Sequence, residues 1–440
     1  MDQKNSIHAQ SRTEARVLIL CDFDGTVSIR DTVNRLVRDH VYSAEWRHHV
    51  KRYVRGEIGS LGVYEAVAPL MRMTERDLEE FVQRFARLDP HFPAFLEWAQ
   101  SRNIDVKIVS DGFDGTIRTL FRNHGIDGLD VFANALILEP DGQVRMASPH
   151  ADPECGTCGT CKLGVLKQFR PQYDKIILIG DGESDRHAAS AADLVLGLKD
   201  LFVYCARENL PAIRADGFRD VPLLLTRRIE AVSFDMDGTL VDSIDTIVDA
   251  FNHMFVQMGY PTMSKEEVVR KTSISLVDFV YSYLKPHEAE EAIRVFREYY
   301  DAIYVEKTGL LPGALETLER LNGSIITGVV TNKRGPYARR LAEHLGFAHH
   351  MTRIIGAQDG FKAKPSGEMF EEFVRSAGTT KETTIYVGDA PLDVQAAANA
   401  GIDCYAIANS IFSAEELAMS GARRVLGHIS ELPNALGPEL

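Results

Sequence analysis

The sequence predicts an α/β protein with two doubly wound parallel sheets, one in each half of the chain, each with a helical insertion after its first strand. Three observations carry this prediction. Short apolar runs alternate with helix-like spacing through both halves. One run, Val17 to Cys21, breaks off at Asp22-Phe-Asp-Gly-Thr26, and the same run and turn return at Asp235-Met-Asp-Gly-Thr239, 213 positions later (235 − 22). Finally, 440 residues are more than one ordinary core accommodates. The expected division is a tail over 1–14, a first domain over 15–226 and a second over 227–440.

The first strand is predicted from four consecutive apolar residues, Val17 to Leu20, a run too short for a core helix. Leu36, Val37 and Val41, then Leu78, Phe81, Val82 and Phe85, follow helical spacing, so a helical cap is expected over about 31–98. Sheet character resumes at Ile104 to Ser110. Alternation about Asp141-Gly142 predicts a hairpin within 131–146. A helix over 163–169 then leads to a strand from Lys175 to Asp181, an alanine-rich helix from His187 to Ala192 and a short strand, Leu194 to Leu196. In the second half the plan repeats: a strand over 229–234, a cap over about 243–308 and a helix opened by Pro312-Gly313. Strands follow at Ile325 to Thr331, Thr352 to Gly356, Thr384 to Asp389 and Cys404 to Ala408, with an alanine-rich helix, Val394 to Ala400, before the last.

Composition narrows the function. With 49 basic against 63 acidic residues the net charge is −14, which argues against nucleic-acid and anionic-membrane partners. No apolar run reaches the length of a membrane span. Residues 1–14 are polar, unlike an export signal, and Cys21, Cys205 and Cys404 sit in apolar strand-like contexts, so a reducing cytoplasm is expected.

Four pieces recur in the same order in both halves. They are Asp22/Asp24, Ser110, Lys162 and Asp181/Asp185 in the first, and Asp235/Asp237, Thr331, Lys364 and Asp389/Asp393 in the second. Most lie at strand C-terminal ends, the edge at which open α/β sheets bind ligands. Paired carboxylates there are not packing residues, because ionised groups are costly in a core. Together these residue types suit phosphoryl transfer. One carboxylate attacks phosphorus, and a second, two residues on, moves the proton. A lysine and a hydroxyl hold the phosphoryl oxygens, and the acidic groups hold Mg²⁺.

On these motifs both halves resemble the haloacid dehalogenase superfamily of aspartate-nucleophile phosphatases. The resemblance implies a Rossmann-like core under a mobile cap, with Asp22 and Asp235 as nucleophiles and Asp24 and Asp237 as acid/bases. It also implies one Mg²⁺ per domain, drawn from Asp22, Asp24, Asp181 and Asp185 or from Asp235, Asp237, Asp389 and Asp393. The second aspartate of each pair separates both halves from dehalogenases, which lack it. From Pro149-His150 through Cys161-Lys162 to Gly180-Asp181 and Asp185, the first half is similar to 2-hydroxy-3-keto-5-methylthiopentenyl-1-phosphate phosphatases. The second half, with Asp235 to Ser243, Thr331-Asn-Lys333, Lys364-Pro365 and Gly388-Asp389, is similar to phosphoglycolate phosphatases and β-phosphoglucomutase-like proteins. Its cap run, Arg270 to Ile274, departs from that pattern in lacking a glycine. The function expected is hydrolysis of small phosphorylated metabolites at two separate sites. The alternatives are that one half, the second in preference, is a phosphomutase, or that one half is an inactive scaffold.

His150, Cys155, Cys158 and Cys161 allow two readings. Three thiolates and an imidazole could hold zinc. The preferred reading is a turn-rich loop that presents Lys162 to phosphate, because Cys-x₂-Cys-x₂-Cys within seven residues is tight for three ligands of one ion.

Overall fold

The computed structural model describes residues 15–41, 43–272 and 276–440. The tail expected over 1–14 lies outside them, as do Ser273 and Ile274 of the cap run. The chain divides into two compact units. Of the described residues, one holds those up to Leu201 together with Asp216–Pro222, and the other holds Phe202–Ala215 and those from Leu223 to Leu440.

The sheet of the first unit is built on β1 (Val17–Cys21), which is buried along its whole length. Around it lie β2 (Asp105–Phe113), β3 (Asp130–Leu138), β4 (Val144–Ala147), β5 (Lys175–Gly180) and β6 (Leu194–Gly197), in the order β4-β3-β2-β1-β5-β6. β1 runs parallel to both neighbours, with Cys21 opposite Ile108 on one side and Ile179 on the other. The hairpin is real: β3 and β4 are antiparallel, with Leu138 opposite Val144. Between β1 and β2 come helices Thr32–His40, Trp46–Val54, Ser60–Val67 and Glu75–Phe85, then Phe92–Gln100. Local chemistry sets their starts. Asp31 accepts from the Asn34 amide at 3.0 Å, and Thr74 and Asp77 form a reciprocal capping box, a device worth about 1 kcal/mol.

The second unit repeats the order β3-β2-β1-β5-β6 around β7 (Ala231–Phe234), without the antiparallel β4 and with one more strand at the far edge. Its other strands are β8 (Ile326–Arg334), β9 (Met351–Ala357), β10 (Thr384–Gly388), β11 (Asp403–Ile407) and β12 (Arg424–Leu426), ordered β9-β8-β7-β10-β11-β12 and all parallel. Helices Ile244–Gln257, Lys265–Thr272, Leu276–Tyr283 and Ala289–Lys307 form the insertion. Phe251, Phe255, Phe279 and Phe296 interlock between them, at helical spacing within Ile244–Gln257. The two central strands therefore occupy equivalent places, each flanked by the strands that end in the hydroxyl and in the second acidic pair.

One expected element differs. The helix expected over His187 to Ala192 is a single turn, Arg186–Ala189. Ser190 turns its hydroxyl back onto the His187 carbonyl at 2.8 Å, a local bond that competes with helix continuation. Among the described residues, no helix is long and apolar enough to cross a membrane.

Candidate active site

In each unit the chain leaves the central strand through a positive-φ glycine, Gly25 at +81° or Gly238 at +83°. A β-carbon on either would intrude on a carboxylate, Asp181 in the first case and Asp389 in the second. The turn thus brings two chain-distant acids together. The preceding aspartates are anchored alike, the Asp22 amide donating to Ile179 O and the Asp235 amide to Val387 O, both at 2.8 Å.

In the first unit Lys162 Nζ lies 2.6 Å from Asp22 Oδ1 and 2.7 Å from Asp185 Oδ1, all three groups buried. Asp185 Oδ2 accepts from the Asp181 and Gly182 amides at 3.2 Å each. In the second unit Lys364 Nζ lies 3.0 Å from Asp235 Oδ1 and 2.6 Å from Asp393 Oδ1. Asp393 Oδ2 accepts from the Asp389 and Ala390 amides at 3.0 Å each. Even the hydroxyls match. Ser110 accepts from the Gly112 amide at 2.9 Å, and Thr331 from the Lys333 amide at 3.2 Å. In both units the expected residues converge on one strand edge. Asp22, Asp24, Ser110 and Asp181 line a cleft with Val37, Tyr53 and Tyr64 of the insertion. Asp235, Asp237, Thr331, Lys364, Asp389 and Asp393 line another with Phe251 and Phe296.

Burial raises the Asp22 carboxyl well above its ordinary range, with Lys162 working in the opposite sense. Asp235 is raised for the same reason, against Lys364. Burial alone would lower the lysines, but the surrounding aspartates outweigh it, so both are held well above their ordinary values and stay charged. Each buried lysine pairs with two carboxylates, and a third, Asp181 or Asp389, completes the acidic cluster, leaving an excess of negative charge at each strand edge.

That excess fits a divalent cation. Oxygens of Asp22, Asp181 and Asp185, and likewise of Asp235, Asp389 and Asp393, lie within 4.8 Å of one another. Asp235 Oδ1 is buried and has no hydrogen-bond partner of good geometry. An all-oxygen carboxylate set is the donor chemistry of Mg²⁺. Asp24 and Asp237 stand outside both clusters by their side chains.

The cysteine loop is not such a cluster. Among the described residues, the groups of three or more His, Cys, Asp or Glu with ligand atoms that close are the two acidic ones. Cys161 Sγ accepts from the Gly164 amide at 3.4 Å as the cap of helix Lys162–Phe169, and the His150 ring packs edge-on against Phe132.

The units differ around the second aspartate. Asp24 Oδ1 accepts from both the amide and the hydroxyl of Thr32 at 2.6 Å. Burial, partly offset by those bonds, pushes its carboxyl up to about 7. Asp237 Oδ1 likewise accepts from a hydroxyl, that of Ser243, but Asp237 also takes Lys333 Nζ at 2.8 and 2.9 Å, and that ammonium reaches the Tyr300 hydroxyl at 2.7 Å. Beyond the expected set lie Thr32, Lys333, Lys199, which reaches Asp181 at 2.8 Å, and Asn409, which reaches Asp389 at 2.9 Å. Lys333 was findable, because two residues along a strand from Thr331 returns to the same face. Lys199 and Asn409 carried no spacing signal.

Comparison with known proteins agrees with this duplication. Residues 19–190 and residues 232–407 each match a family model described as haloacid dehalogenase-like hydrolase. Phosphoglycolate phosphatase of Photorhabdus laumondii is 28% identical over 217 residues, spanning 48% of this chain and 93% of that protein. The 2-hydroxy-3-keto-5-methylthiopentenyl-1-phosphate phosphatase of Exiguobacterium sibiricum is 28% identical over 211 residues, spanning 47% of this chain and 94% of that protein. Among solved structures, a haloacid dehalogenase-like hydrolase from Streptococcus pneumoniae is 26% identical, with a TM-score of 0.44, and is matched over 97% of its length by 47% of this chain.

Proposed function

Both halves of this chain belong to the haloacid dehalogenase-like hydrolases and the chain is a phosphatase; from that premise we propose that it is a tandem, Mg²⁺-dependent phosphomonoesterase with two independent sites. The observation that carries the proposal is the repeated triad of a buried lysine between two buried aspartates, Asp22–Lys162–Asp185 and Asp235–Lys364–Asp393.

On this reading an Asp22 oxygen attacks phosphorus and the ester P–O bond breaks. Asp24 gives its proton to the departing alkoxide. Water then attacks the aspartyl-phosphate while Asp24 takes up the water's proton, and inorganic phosphate leaves. Ser110 and Lys162 hold the phosphoryl oxygens through both steps. Asp235, Asp237, Thr331 and Lys364 take the same roles in the second site. The Asp22 and Asp181 carboxylates with the Asp24 carbonyl would hold Mg²⁺, as would Asp235, Asp389 and the Asp237 carbonyl. When bound, the ion neutralises charge between nucleophile and phosphate. Asp185 and Asp393, whose oxygens are taken by lysine and amides, act as positioning residues for that lysine.

The resemblance of each half supports substrates of the methylthiopentenyl phosphate kind for the domain at 15–226 and small phosphoglycolate-like esters for that at 227–440. The proposed setting is the cytoplasm, supported by six cysteines that form no disulfide. The test is a panel of phosphate monoesters with product analysis. Free phosphate is expected, abolished by excess chelator and restored by Mg²⁺. Positional isomers of a sugar phosphate would instead make the second domain a mutase, and full turnover in chelator would remove the metal from the account.

A further inference from the structure

The cysteine loop is the motif that this function does not absorb, and its geometry is specific. Cys155 Sγ and Cys158 Sγ lie 3.6 Å apart, with the Thr157 hydroxyl 3.2 Å from the first. Both thiols are partly exposed, whereas Cys21, Cys161, Cys205 and Cys404 are buried. A disulfide needs about 2.05 Å, so closing the pair requires a shift of roughly 1.5 Å within one short loop.

That loop has little slack. The Thr157 carbonyl accepts from the Leu61 amide at 3.1 Å, and Ser60 Oγ accepts from the Gly159 amide at 3.1 Å, both on helix Ser60–Val67 of the insertion. Gly59 lies so close to the Thr157 carbonyl that a β-carbon there would not fit. Asp111, next to Ser110, accepts from the Thr160 amide at 2.9 Å. Three residues past Gly159 comes Lys162, 2.6 Å from Asp22. The two thiols thus sit on the strap that joins the insertion to the phosphate-binding lysine.

We propose that Cys155 and Cys158 are a redox modification site, closing to a reversible disulfide that slows the first phosphatase site. The part concerning rate rests on the first-site reading above. The oxidant class is a low-molecular-weight disulfide. Cys155 attacks it as thiolate, forming a mixed disulfide and releasing one small thiol. Cys158 then attacks the Cys155 sulfur, releasing the second. Two protein thiols become one disulfide, one small disulfide becomes two small thiols, and the two protein protons end on those products. The order of attack follows from the thiols' surroundings. Burial raises Cys155, but hydrogen bonds from Thr157 and Cys158 outweigh it and bring the thiol down to about 7, while burial pushes Cys158 up to about 12.

The test equilibrates the full-length Asp235→Asn protein with glutathione buffers from fully reduced to fully oxidised, then alkylates free thiols and maps them by mass. Expected are loss of alkylation at Cys155 and Cys158 alone, a 155–158 disulfide reversed by dithiothreitol, and a fall in first-site rate of about threefold or more. Cys158→Ser and Cys155→Ser should keep the reduced rate and lose the redox response. Both thiols alkylated across the whole range, a bridge to Cys161, or an unchanged rate in the closed form would each overturn the proposal. So would one zinc per chain released by Cys158→Ser. If the reduced protein hydrolyses nothing at its first site, the phosphatase reading fails there, and the mapping still decides the thiol pair.

Discussion

Thr32 and Ser243 each place a neutral hydroxyl on the second aspartate, and Lys333 makes the two sites chemically unequal by adding an ammonium to Asp237. The Thr32 bond favours ionised Asp24, so Thr32→Val should raise that carboxyl further above its value of about 7. A hydrogen bond to a charged group is worth about 1.5 kcal/mol, or about one pH unit. On the proposed mechanism Asp24 is protonated to serve the leaving group, so the alkaline limb of the first-site pH–rate profile should move up by about that unit. An unmoved limb would take Asp24 out of the proton's path. Lys333→Met should lower second-site kcat by about 10- to 100-fold, since the ammonium that orients Asp237 is lost. First-site turnover in the same protein is the internal control. Neither residue stood out as a site residue in the sequence. Thr32 is eight positions from Asp24, and its role depends on how the cap's first helix meets the turn. The repeated carboxylates and hydroxyls, in contrast, were legible because strand ends force them to one edge whatever the cap does, and the lysine was legible by its recurrence in the same order.

Elements explain what was legible and what was not. Apolar runs ending in carboxylates mark the central strands directly, since only a sheet's C-terminal edge tolerates that switch from core to charge. The three-residue strand β12 and the single-turn helix Arg186–Ala189 are too short for any periodicity to reveal or bound them. Cap helices were legible by their apolar spacing, but the substrate they admit is a matter of side chains meeting across helices. The turn after each central strand carries its own prediction. Gly25→Ala or Gly238→Ala forces a β-carbon into a left-handed backbone and against Asp181 or Asp389. Strain of about 1–2 kcal/mol should raise the Mg²⁺ concentration for half-maximal rate about tenfold in the affected site alone. An unchanged metal requirement, with the fold intact by circular dichroism, would mean that the turn does not assemble the ion's ligands.

At the scale of the molecule, the account is one of duplication. Two sheets that share the order of strands about the central one each carry a lysine between two aspartates, and residues of each unit's own helical insertion line its cleft. Around this frame the units differ: Lys333 adds an ammonium to Asp237, Lys199 stands against Asn409, and the hairpin strand and the cysteine strap belong to the first half. Such a pattern predicts separable activities. The direct measurement is the hydrolysis of a phosphate-ester panel by Asp22→Asn, Asp235→Asn and the double variant, the amide being nearly isosteric with the carboxylate but a far weaker nucleophile. Each single variant should lose one subset of esters by about a thousandfold or more and hydrolyse the other at close to the unmodified rate, with the double variant inactive. If either single substitution removed turnover of every ester, the two units would share or depend on one site, and the account of two independent phosphatases in one chain would be wrong.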